Sequence, residues 1–408
     1  MIRSPQHRRW IIVVLGFLSA MNPLSTDMYL PAFQGIAHAL QTSTASLSLT
    51  LSSYFIGIGV GQLAYGPLLD RFGRKTPLYA GLGLYVLASI GCIFTHTLEG
   101  LVVWRFFTAV GGCVASVVSV AMVRDLFSVK ESAKIFSLLM LVLGVSPLLA
   151  PTIGSAVAVN IGWQGVFVIL MFIALIMIFL SALVLPESHS GDDHVKLTPG
   201  PILRDYWEIF IHPQFTIYAL VGGSVMASLF AFIAASPVLF FNFFHLSIYS
   251  YGWIFTLLAA GFISGSQINL LLLRRFSSIQ ILRWAVIVQI LMCLAFMAVA
   301  WSDCFHLPLV LALIFGMLLS IGCASPNAAV LAMAPFASKA GRASALLSSS
   351  QMLLGSVASI VIGLLTLQSM RPIAVIFALP ALLAGLSLYL GKNRVVTLQE
   401  GETVASLH

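Results

Sequence analysis

Charged residues are scarce in this sequence. Only 8% of its 408 residues are Asp, Glu, Lys or Arg, whereas a soluble domain carries about 25% charged residues. Hydrophobic residues make up 60% of the chain, which is more apolar surface than the core of a soluble domain can absorb. These proportions exclude a soluble enzyme or a soluble binding domain, and they predict an all-α membrane protein.

Sequence patterns for catalysis or for binding metals are also missing. None of the five cysteines (Cys92, Cys113, Cys293, Cys304 and Cys323) has CxxC or metal-ligand spacing. There is no Gly-x-x-x-x-Gly-Lys-[Ser/Thr] loop for a nucleotide, and the apolar segments carry no pair of nucleophile and base. We therefore expect no catalytic residue, no metal, no cofactor and no enzyme activity. The basic residues form no cluster, so no nucleic-acid partner is expected.

Long apolar runs are present instead. A helix that crosses the hydrocarbon layer of ~30 Å needs roughly 20 mostly apolar residues, and the period-2 pattern of an outer-membrane barrel is absent. We predict twelve membrane-spanning helices. They cover residues 10–32, 45–69, 76–95, 99–123, 133–157, 164–186, 213–241, 248–272, 279–301, 306–331, 342–366 and 371–391.

The distribution of Lys and Arg predicts the orientation. With a cytoplasmic N-terminus, every one of the 20 Lys and Arg residues except Arg105 and Arg371 falls in a loop, in a tail or at a helix end on the cytoplasmic side. This bias predicts a multi-pass protein of the bacterial inner membrane with both termini in the cytoplasm. It also accounts for the net charge of +7.

A polar stretch at residues 187–212 divides the chain. We predict an N-terminal six-helix bundle at 1–186, a cytoplasmic linker at 187–212 and a C-terminal six-helix bundle at 213–408, with 201–210 as an amphipathic surface helix. A shift of 204 residues aligns Gly57 and Gly61 with Gly261 and Gly265, and Arg71-Phe72 with Arg275-Phe276. Chance matching is the alternative. If the match is a true internal repeat, the two halves are parallel repeats, and these predict a substrate site near the midplane between two pseudo-symmetric bundles.

Asp27 and Arg105 are the two charged side chains that lie inside the predicted helices and away from their ends. A charge at bilayer depth costs about 2.5–3.5 kcal/mol on insertion scales, so such residues face an interior or a cavity. Asp27 lies about 25 Å from the start of its helix, and Arg105 lies about 9 Å below the outer surface. A charge pair or a shared water-filled cavity is therefore possible. We predict a proton-coupling role for both residues. There are two alternatives. The two residues form a static ion pair, or Asp27 lies in contact with water at the outer end of its helix.

One loop carries a long motif, Gly66-Pro-Leu-Leu-Asp70-Arg71-Phe-Gly73-Arg74-Lys75. It resembles the Gly-x-Leu-x-Asp-Arg-x-Gly-Arg-Lys signature of the major facilitator superfamily and matches every fixed position. The resemblance implies that Asp70 locks a closed state through charges and a helix end of the other half. Gly66, Arg71, Gly73 and Arg74 belong to this gate by the same resemblance. The expected partners of Asp70 are Gly341-Arg342, at the start of the eleventh helix, and Arg124.

Within that superfamily the chain looks like the drug:proton antiporters of the Bcr/CflA type. The matching segments are Ser25-Thr-Asp27-Met-Tyr29-Leu-Pro31, Arg105, Val123-Arg124-Asp125 and Ser146-Pro147-Leu-Leu-Ala-Pro151. Two departures weaken the inference of export rather than uptake. Thr108 and Ala109 stand where the family usually has Gln and Gly, and 150–155 reads Ala-Pro-Thr-Ile-Gly-Ser. Pro147, Pro151 and Gly154 form the antiporter-motif helix, which the prolines should bend.

Together these features predict a proton-coupled exporter of small amphipathic compounds, such as drugs or antibiotics, that works as a monomer in the lipid bilayer. Export of a sugar or a purine-like metabolite, and uptake by symport on the same scaffold, are the alternatives. A cavity of this kind binds mostly by apolar contact with a few orienting polar groups. The candidate cavity residues are Asn22, Tyr29, Tyr54, Phe230, Phe232 and Gln351.

Overall fold

The computed structural model describes residues 4–192, 198–302, 306–365 and 369–391. Within these ranges the regular structure is helical throughout. Residues 193–197 of the predicted linker, 366 of the eleventh predicted helix, 392–408 of the predicted second bundle, and Cys304 lie outside the described residues.

Fourteen α-helices follow one another along the described chain. They are α1 (Pro5–Asp27), α2 (Phe33–Ala39), α3 (Ser48–Phe72), α4 (Lys75–Phe94), α5 (Leu98–Leu126), α6 (Val129–Asn160), α7 (Trp163–Val184), α8 (Pro199–Phe210), α9 (Pro213–Pro237), α10 (Ile248–Leu272), α11 (Ser278–Trp301), α12 (Leu307–Met333), α13 (Ala340–Leu364) and α14 (Arg371–Gly391). Short 3-10 turns at Leu30–Ala32 and Ala334–Lys339 and a π-helical turn at Val238–Phe243 extend three of them.

The twelve predicted membrane helices are confirmed. Eleven helical segments of the described chain are long and apolar enough to cross a membrane. The twelfth is α3, which has 25 residues and many Ser and Gly residues; it packs against α5 of its own bundle and α13 of the other. Because α3 lies between other helices, it needs less apolar surface than a helix that faces lipid.

The helices form two bundles, one of α1 and α3–α7 and one of α9–α14, which meet mainly along α3 with α13 and α6 with α10. The repeated glycines have equivalent places in them. A Cβ at Gly57 would lie 2.7 Å from the carbonyl oxygen of Phe106 on α5. One at Gly261, the equivalent of Gly57, would lie 3.0 Å from the carbonyl oxygen of Phe315 on α12, and one at Gly265 would overlap that of Leu319. The 204-residue repeat therefore reflects the same close packing of α3 on α5 and of α10 on α12.

The first membrane segment differs from the continuous helix expected over 10–32. Helix α1 ends at Asp27, and the chain passes through the 3-10 turn Leu30–Ala32 into α2. Pro31 explains the break, because proline has no N–H to donate and disfavours helical geometry in the preceding residue. Asp27 is therefore the last residue of a helix. In contrast, α6 runs unbroken through Pro147 and Pro151.

The bundles are closed against each other at one end, which we call the Asp27 end; the opposite end is the Asp70 end. The Ser48 hydroxyl donates to the carbonyl oxygen of Ala234 at 2.9 Å, and the Ser359 hydroxyl donates to that of Ser48 at 2.8 Å. The side chains of Thr44 and Asn242 also hydrogen-bond across the bundles. Nearer the middle, the rings of Phe55 and Phe230 lie 4.6 Å apart.

The predicted surface helix is present as α8. Its Tyr206 and Ile209 are buried, whereas Leu203, Trp207 and Phe210 are exposed. The Tyr206 hydroxyl donates to the carbonyl oxygen of Leu63 in the first bundle at 3.1 Å. Lys339, just before α13 of the second bundle, lies 3.0 Å from Glu208 of α8. Helix α8 is thus attached to both bundles at the Asp70 end.

We expect Gly265→Ala to lower the melting temperature of the purified protein in detergent, because overpacking a core costs typically 1–3 kcal/mol. Gly83→Ala is the matched control. Its added Cβ meets nothing within 4 Å, and alanine has the higher helix propensity. Thermal unfolding followed by intrinsic fluorescence compares the two variants. Equal melting temperatures would show that α10 and α12 are not held by this close approach.

Candidate functional site

A fully buried arginine lies at the centre of the first bundle. Arg105 of α5 has 0% of its surface exposed. Its guanidinium lies 4.5 Å from the ring centre of Tyr29 and 4.1 Å from that of Tyr54. A cation between aromatic faces is stabilised by about 2 kcal/mol or more when water is excluded. The two tyrosines therefore offset part of the cost of burying this charge.

The guanidinium also holds the end of α1. It donates to the side-chain oxygen of Ser25 and to the backbone oxygen of Ser25, both at 3.3 Å. The last carbonyl groups of a helix have no partner within the helix, and a cation at this end is favoured by the helix dipole. Tyr85 donates a further hydrogen bond to the Ser25 hydroxyl at 3.0 Å. Arg105 thus fixes the position of the turn that carries Asp27.

Asp27 is buried but is not paired with Arg105. Only 5% of its surface is exposed, and no ion pair within 4 Å joins it to Arg105 or to another cation of the described residues. Arg105 instead binds Ser25, two residues earlier. The charge pair left open by the sequence is therefore not formed. Both charged groups nonetheless lie close to the end of α1, as their depths predicted.

The antiporter-motif helix α6 holds the end of α1 and the start of α10. An added Cβ at Gly154 would overlap the backbone of Met28. One at Gly252 of α10 would lie 2.7 Å from the Ser155 hydroxyl. A hydrogen bond from Thr256 to the carbonyl oxygen of Leu148, at 2.8 Å, continues this contact between the bundles. Small residues on α6 and α10 thus let two bundles meet almost backbone to backbone beside Asp27.

The loop motif forms an ionic cluster on the first bundle. Arg74 lies 3.2 Å from Asp70 and 2.8 Å from Asp125. The Glu187 carboxylate accepts hydrogen bonds from the backbone N–H groups of Arg74 and Lys75. Gly73 has φ of 78°, a conformation that favours glycine. The loop is therefore fixed to the first bundle and to the start of the linker.

The residues expected to pair with Asp70 do not pair with it in the described part of the chain. Arg342 forms an ion pair with Asp205 of α8, and no ion pair within 4 Å joins Asp70 to Arg342 or to Arg124 in the described part of the chain. The physical reason is that α8 contacts the start of α13. Hydrogen bonding and charge from Lys339 lower the pKa of Glu208 on the same helix.

The six cavity candidates fall into two groups. Asn22, Tyr29 and Tyr54 lie together around Arg105: the Tyr54 hydroxyl donates to the Asn22 side chain at 3.3 Å, and that of Tyr29 hydrogen-bonds Thr50 at 2.8 Å. The other three belong to the second bundle, on α9 and α13. Phe230 packs on Phe55 of the first bundle, Phe232 stacks on Phe255, and Gln351 lies beside Gly222 of α9.

Sequence reasoning missed Tyr85 and Tyr251 as members of this region. Both are fully buried, and both donate or share a hydroxyl hydrogen bond there. The available signal was a tyrosine in an otherwise apolar run, since a buried phenol usually finds a hydrogen-bond partner. Ten tyrosines occur in the chain, so the signal does not select these two.

The arrangement offers one clear chemical capacity. A buried carboxyl group lies at the boundary between two bundles, next to a cation whose hydrogen bonds go to a helix end. Such a group can take up and release a proton when the boundary opens to water, and it can do so without breaking an ion pair.

Comparison with known proteins agrees with this architecture. The model of the Major Facilitator Superfamily matches residues 15–359. An uncharacterised MFS-type transporter, YdgK, of Bacillus subtilis (strain 168) is 31% identical over 97% of this chain and 99% of its own length. A bicyclomycin resistance protein homolog of Haemophilus influenzae is 26% identical over 88% of this chain and 90% of its own length.

The fold is also found among solved structures. The crystal structure of a D-xylose-proton symporter superposes with a TM-score of 0.73 at 16% identity, over 94% of this chain and 97% of that one. Twelve membrane helices, two bundles, the complete loop signature and the match over most of the chain lead to one conclusion: the chain belongs to the major facilitator superfamily of membrane transporters.

Proposed function

We propose that this protein is a proton-coupled exporter of small amphipathic compounds, including antibiotics, in the bacterial inner membrane. The observation that carries the proposal is Asp27, a carboxyl group buried without a cation partner at the boundary of two bundles. The bicyclomycin resistance homolog among the relatives supports the substrate class. The working unit that we propose is a monomer in the lipid bilayer.

Alternating access follows from the chemistry of Asp27. Closing the Asp27 end removes this group from water, and burial of an unpaired ionised carboxylate costs far more than burial of the neutral acid. Protonation therefore favours the closed Asp27 end, and each 1.4 kcal/mol of this preference shifts the population of the closed state tenfold. With both termini in the cytoplasm, the Asp27 end faces outward. A proton that enters from outside then accompanies the return of the empty carrier to the inward-open state.

Arg105 acts as a positioning residue in this scheme. It holds Ser25, and therefore Asp27, at a fixed place relative to α6 and α10. Its planar guanidinium supplies two donors to Ser25 and lies between two rings, which a lysine ammonium cannot reproduce.

Asp70 acts at the opposite end. In this structure it pairs with Arg74, while α8 holds Arg342. We propose that closing the Asp70 end brings Gly341 and Arg342, at the N-terminus of α13, against Asp70. A carboxylate at a helix N-terminus is favoured by about 0.3–1 kcal/mol.

Asp27→Asn should abolish accumulation driven by a pH gradient, because an amide fills the same space but cannot release a proton. The measurement is uptake of labelled bicyclomycin, or of a compound chosen from a growth-inhibition panel, into everted vesicles with an acidic interior. Exchange of substrate down its own gradient should persist. Glu99→Gln, at an exposed carboxylate in the first turn of α5, is the control. Full accumulation by Asp27→Asn would refute the coupling role. Accumulation only in right-side-out vesicles would identify a symporter.

Arg105→Lys should lower transport nearly as much as Arg105→Ala, although lysine keeps the charge. The reason is that the stacked, two-donor contact with Ser25 and the tyrosines is lost in both variants. Initial rates in the same vesicles, corrected for the amount of protein, test this expectation. A lysine variant with the wild-type rate would show that charge alone is needed.

Asp70→Asn should slow transport about two- to fivefold, the equivalent of the 0.3–1 kcal/mol expected at a helix N-terminus, and leave substrate affinity unchanged. The defect lies in exchange between states and does not involve binding. Equilibrium binding and single-turnover transport separate the two. A variant with weakened binding and a normal rate would place Asp70 outside the gate.

A further inference from the structure

Helix α8 contacts both of the helices whose ends form the proposed gate at the Asp70 end. On α3, the Tyr206 hydroxyl donates to the carbonyl oxygen of Leu63 at 3.1 Å, and it lies 3.8 Å from the position that a Cβ of Gly66 would take. Gly66 opens the loop motif, and Asp70 lies about one turn further along the same helix. Helix α8 therefore packs on the helix end that carries Asp70.

The acidic side chains of α8 hold the start of α13. Asp205 accepts a hydrogen bond from Arg342 at 2.5 Å. The ammonium group of Lys339 lies 3.0 Å from Glu208 and 3.9 Å from Asp205. The two cations at the start of α13 thus form one ionic network with α8. Because Arg342 belongs to this network, it is held by α8 and not by Asp70 in this arrangement of the bundles.

Another face of α8 is apolar and is left uncovered by the described residues. Leu203, Trp207 and Phe210 recur at the spacing of one helix face, and all three are exposed. Ile211, directly after α8, is exposed as well. A cluster of large exposed apolar side chains marks a surface that meets a partner or a membrane.

The position of this face points to the bilayer leaflet at the Asp70 end. The membrane helix α9 begins at Pro213, directly after Ile211 and His212, so α8 ends where the chain enters the membrane. Ile211 also lines an apolar groove with Leu220 of α9 and Leu390 of α14, whose side chains are exposed on the outside of the second bundle. The apolar face of α8 is therefore continuous with the lipid-facing surface. A tryptophan is typical of the boundary between lipid and water.

We propose that α8 is a latch, held in the bilayer leaflet at the Asp70 end, that keeps Arg342 away from Asp70. This inference rests on the gate proposed above. Closing the Asp70 end requires Arg342 to exchange the carboxylate of Asp205 for that of Asp70. The apolar face holds α8 in the leaflet, so Asp205 does not move with Arg342. The latch therefore favours the state in which the Asp70 end is not closed.

The test measures the closed population of the Asp70 end. Spin labels at Thr76→Cys of α4 and Arg274→Cys after α10, both exposed positions at that end, report the separation of the bundles by pulsed electron paramagnetic resonance. The protein is held in a nanodisc of phosphatidylethanolamine and phosphatidylglycerol, and the native cysteines are replaced in this background.

Asp205→Asn should raise the closed population about two- to fivefold, because an exposed ion pair contributes up to about 1 kcal/mol. The rise should be lost on an Arg342→Gln background, where no released guanidinium can bind Asp70. Arg204→Gln is the matched control: Arg204 pairs with Glu208 within α8, and this variant should match the wild type. A lower closed population in Asp205→Asn would show that α8 ties the bundles together, and it would overturn the latch.

The bilayer as partner is tested separately. A single label at Leu203→Cys should collide more often with oxygen, which is concentrated in lipid, than with a water-soluble nickel chelate. A label at the highly exposed Arg204 should show the reverse. Trp207→Ser should raise the closed population, as Asp205→Asn does, because α8 is then held less firmly in the leaflet. A Leu203 label that meets the nickel chelate freely would overturn the bilayer as the partner of this face.

Asp70→Asn separates the latch from the gate. If it lowers the closed population while Asp205→Asn leaves that population at the wild-type value, the latch is overturned and the gate stands. If Asp70→Asn itself leaves the closed population unchanged, the gate is overturned.

Discussion

The buried guanidinium of Arg105 is the interaction on which the arrangement around Asp27 depends. It binds a helix end instead of a carboxylate, and two tyrosine rings cover its faces. The carbonyl groups at the end of α1 need donors, and a buried cation needs acceptors. The contact between Arg105 and Ser25 supplies both. A pair between Arg105 and Asp27 would have removed the carboxyl group from proton exchange. Binding to Ser25 leaves Asp27 without a cation partner, which is the state that the proposed coupling role requires.

The two ends of the molecule are built from different chemistry. At the Asp27 end, hydroxyl groups and glycines bring backbones together, and the ionisable group is buried. The Asp70 end carries exposed ion pairs, such as that of Lys339 with Glu208, and pairs of this kind contribute only about 0–1 kcal/mol each. In the proposed cycle, switching at the Asp70 end exchanges partners of similar strength, whereas the Asp27 end responds to the protonation of one buried group.

Composition and charge bias were enough to predict the membrane class and the twelve helices, and the loop signature was enough to predict the family. The high cost of a charge in lipid singled out Asp27 and Arg105. The contacts of these two residues were not predictable, because the break after α1 depends on how Pro31 and α6 meet in three dimensions. Likewise, the pairing of Arg342 with Asp205 depends on where α8 lies between the bundles, which no local pattern specifies. The 204-residue repeat predicted the equivalent packing of Gly57 and Gly261, since close helix contact selects the same residue type in each half.

Two of the hydrogen bonds that join the bundles at the Asp27 end run from serine hydroxyls to helix carbonyl oxygens, from Ser48 to Ala234 and from Ser359 to Ser48. Each carbonyl has a second lone pair for its own helix, so separating the bundles leaves every helical ladder intact. The donors that lose a partner are hydroxyl groups and the side-chain amide of Asn242, and water entering the gap can replace that partner. The closed end can therefore open and close in each cycle without local unfolding. The free energy needed to open it is then separate from the free energy of unfolding of the two bundles.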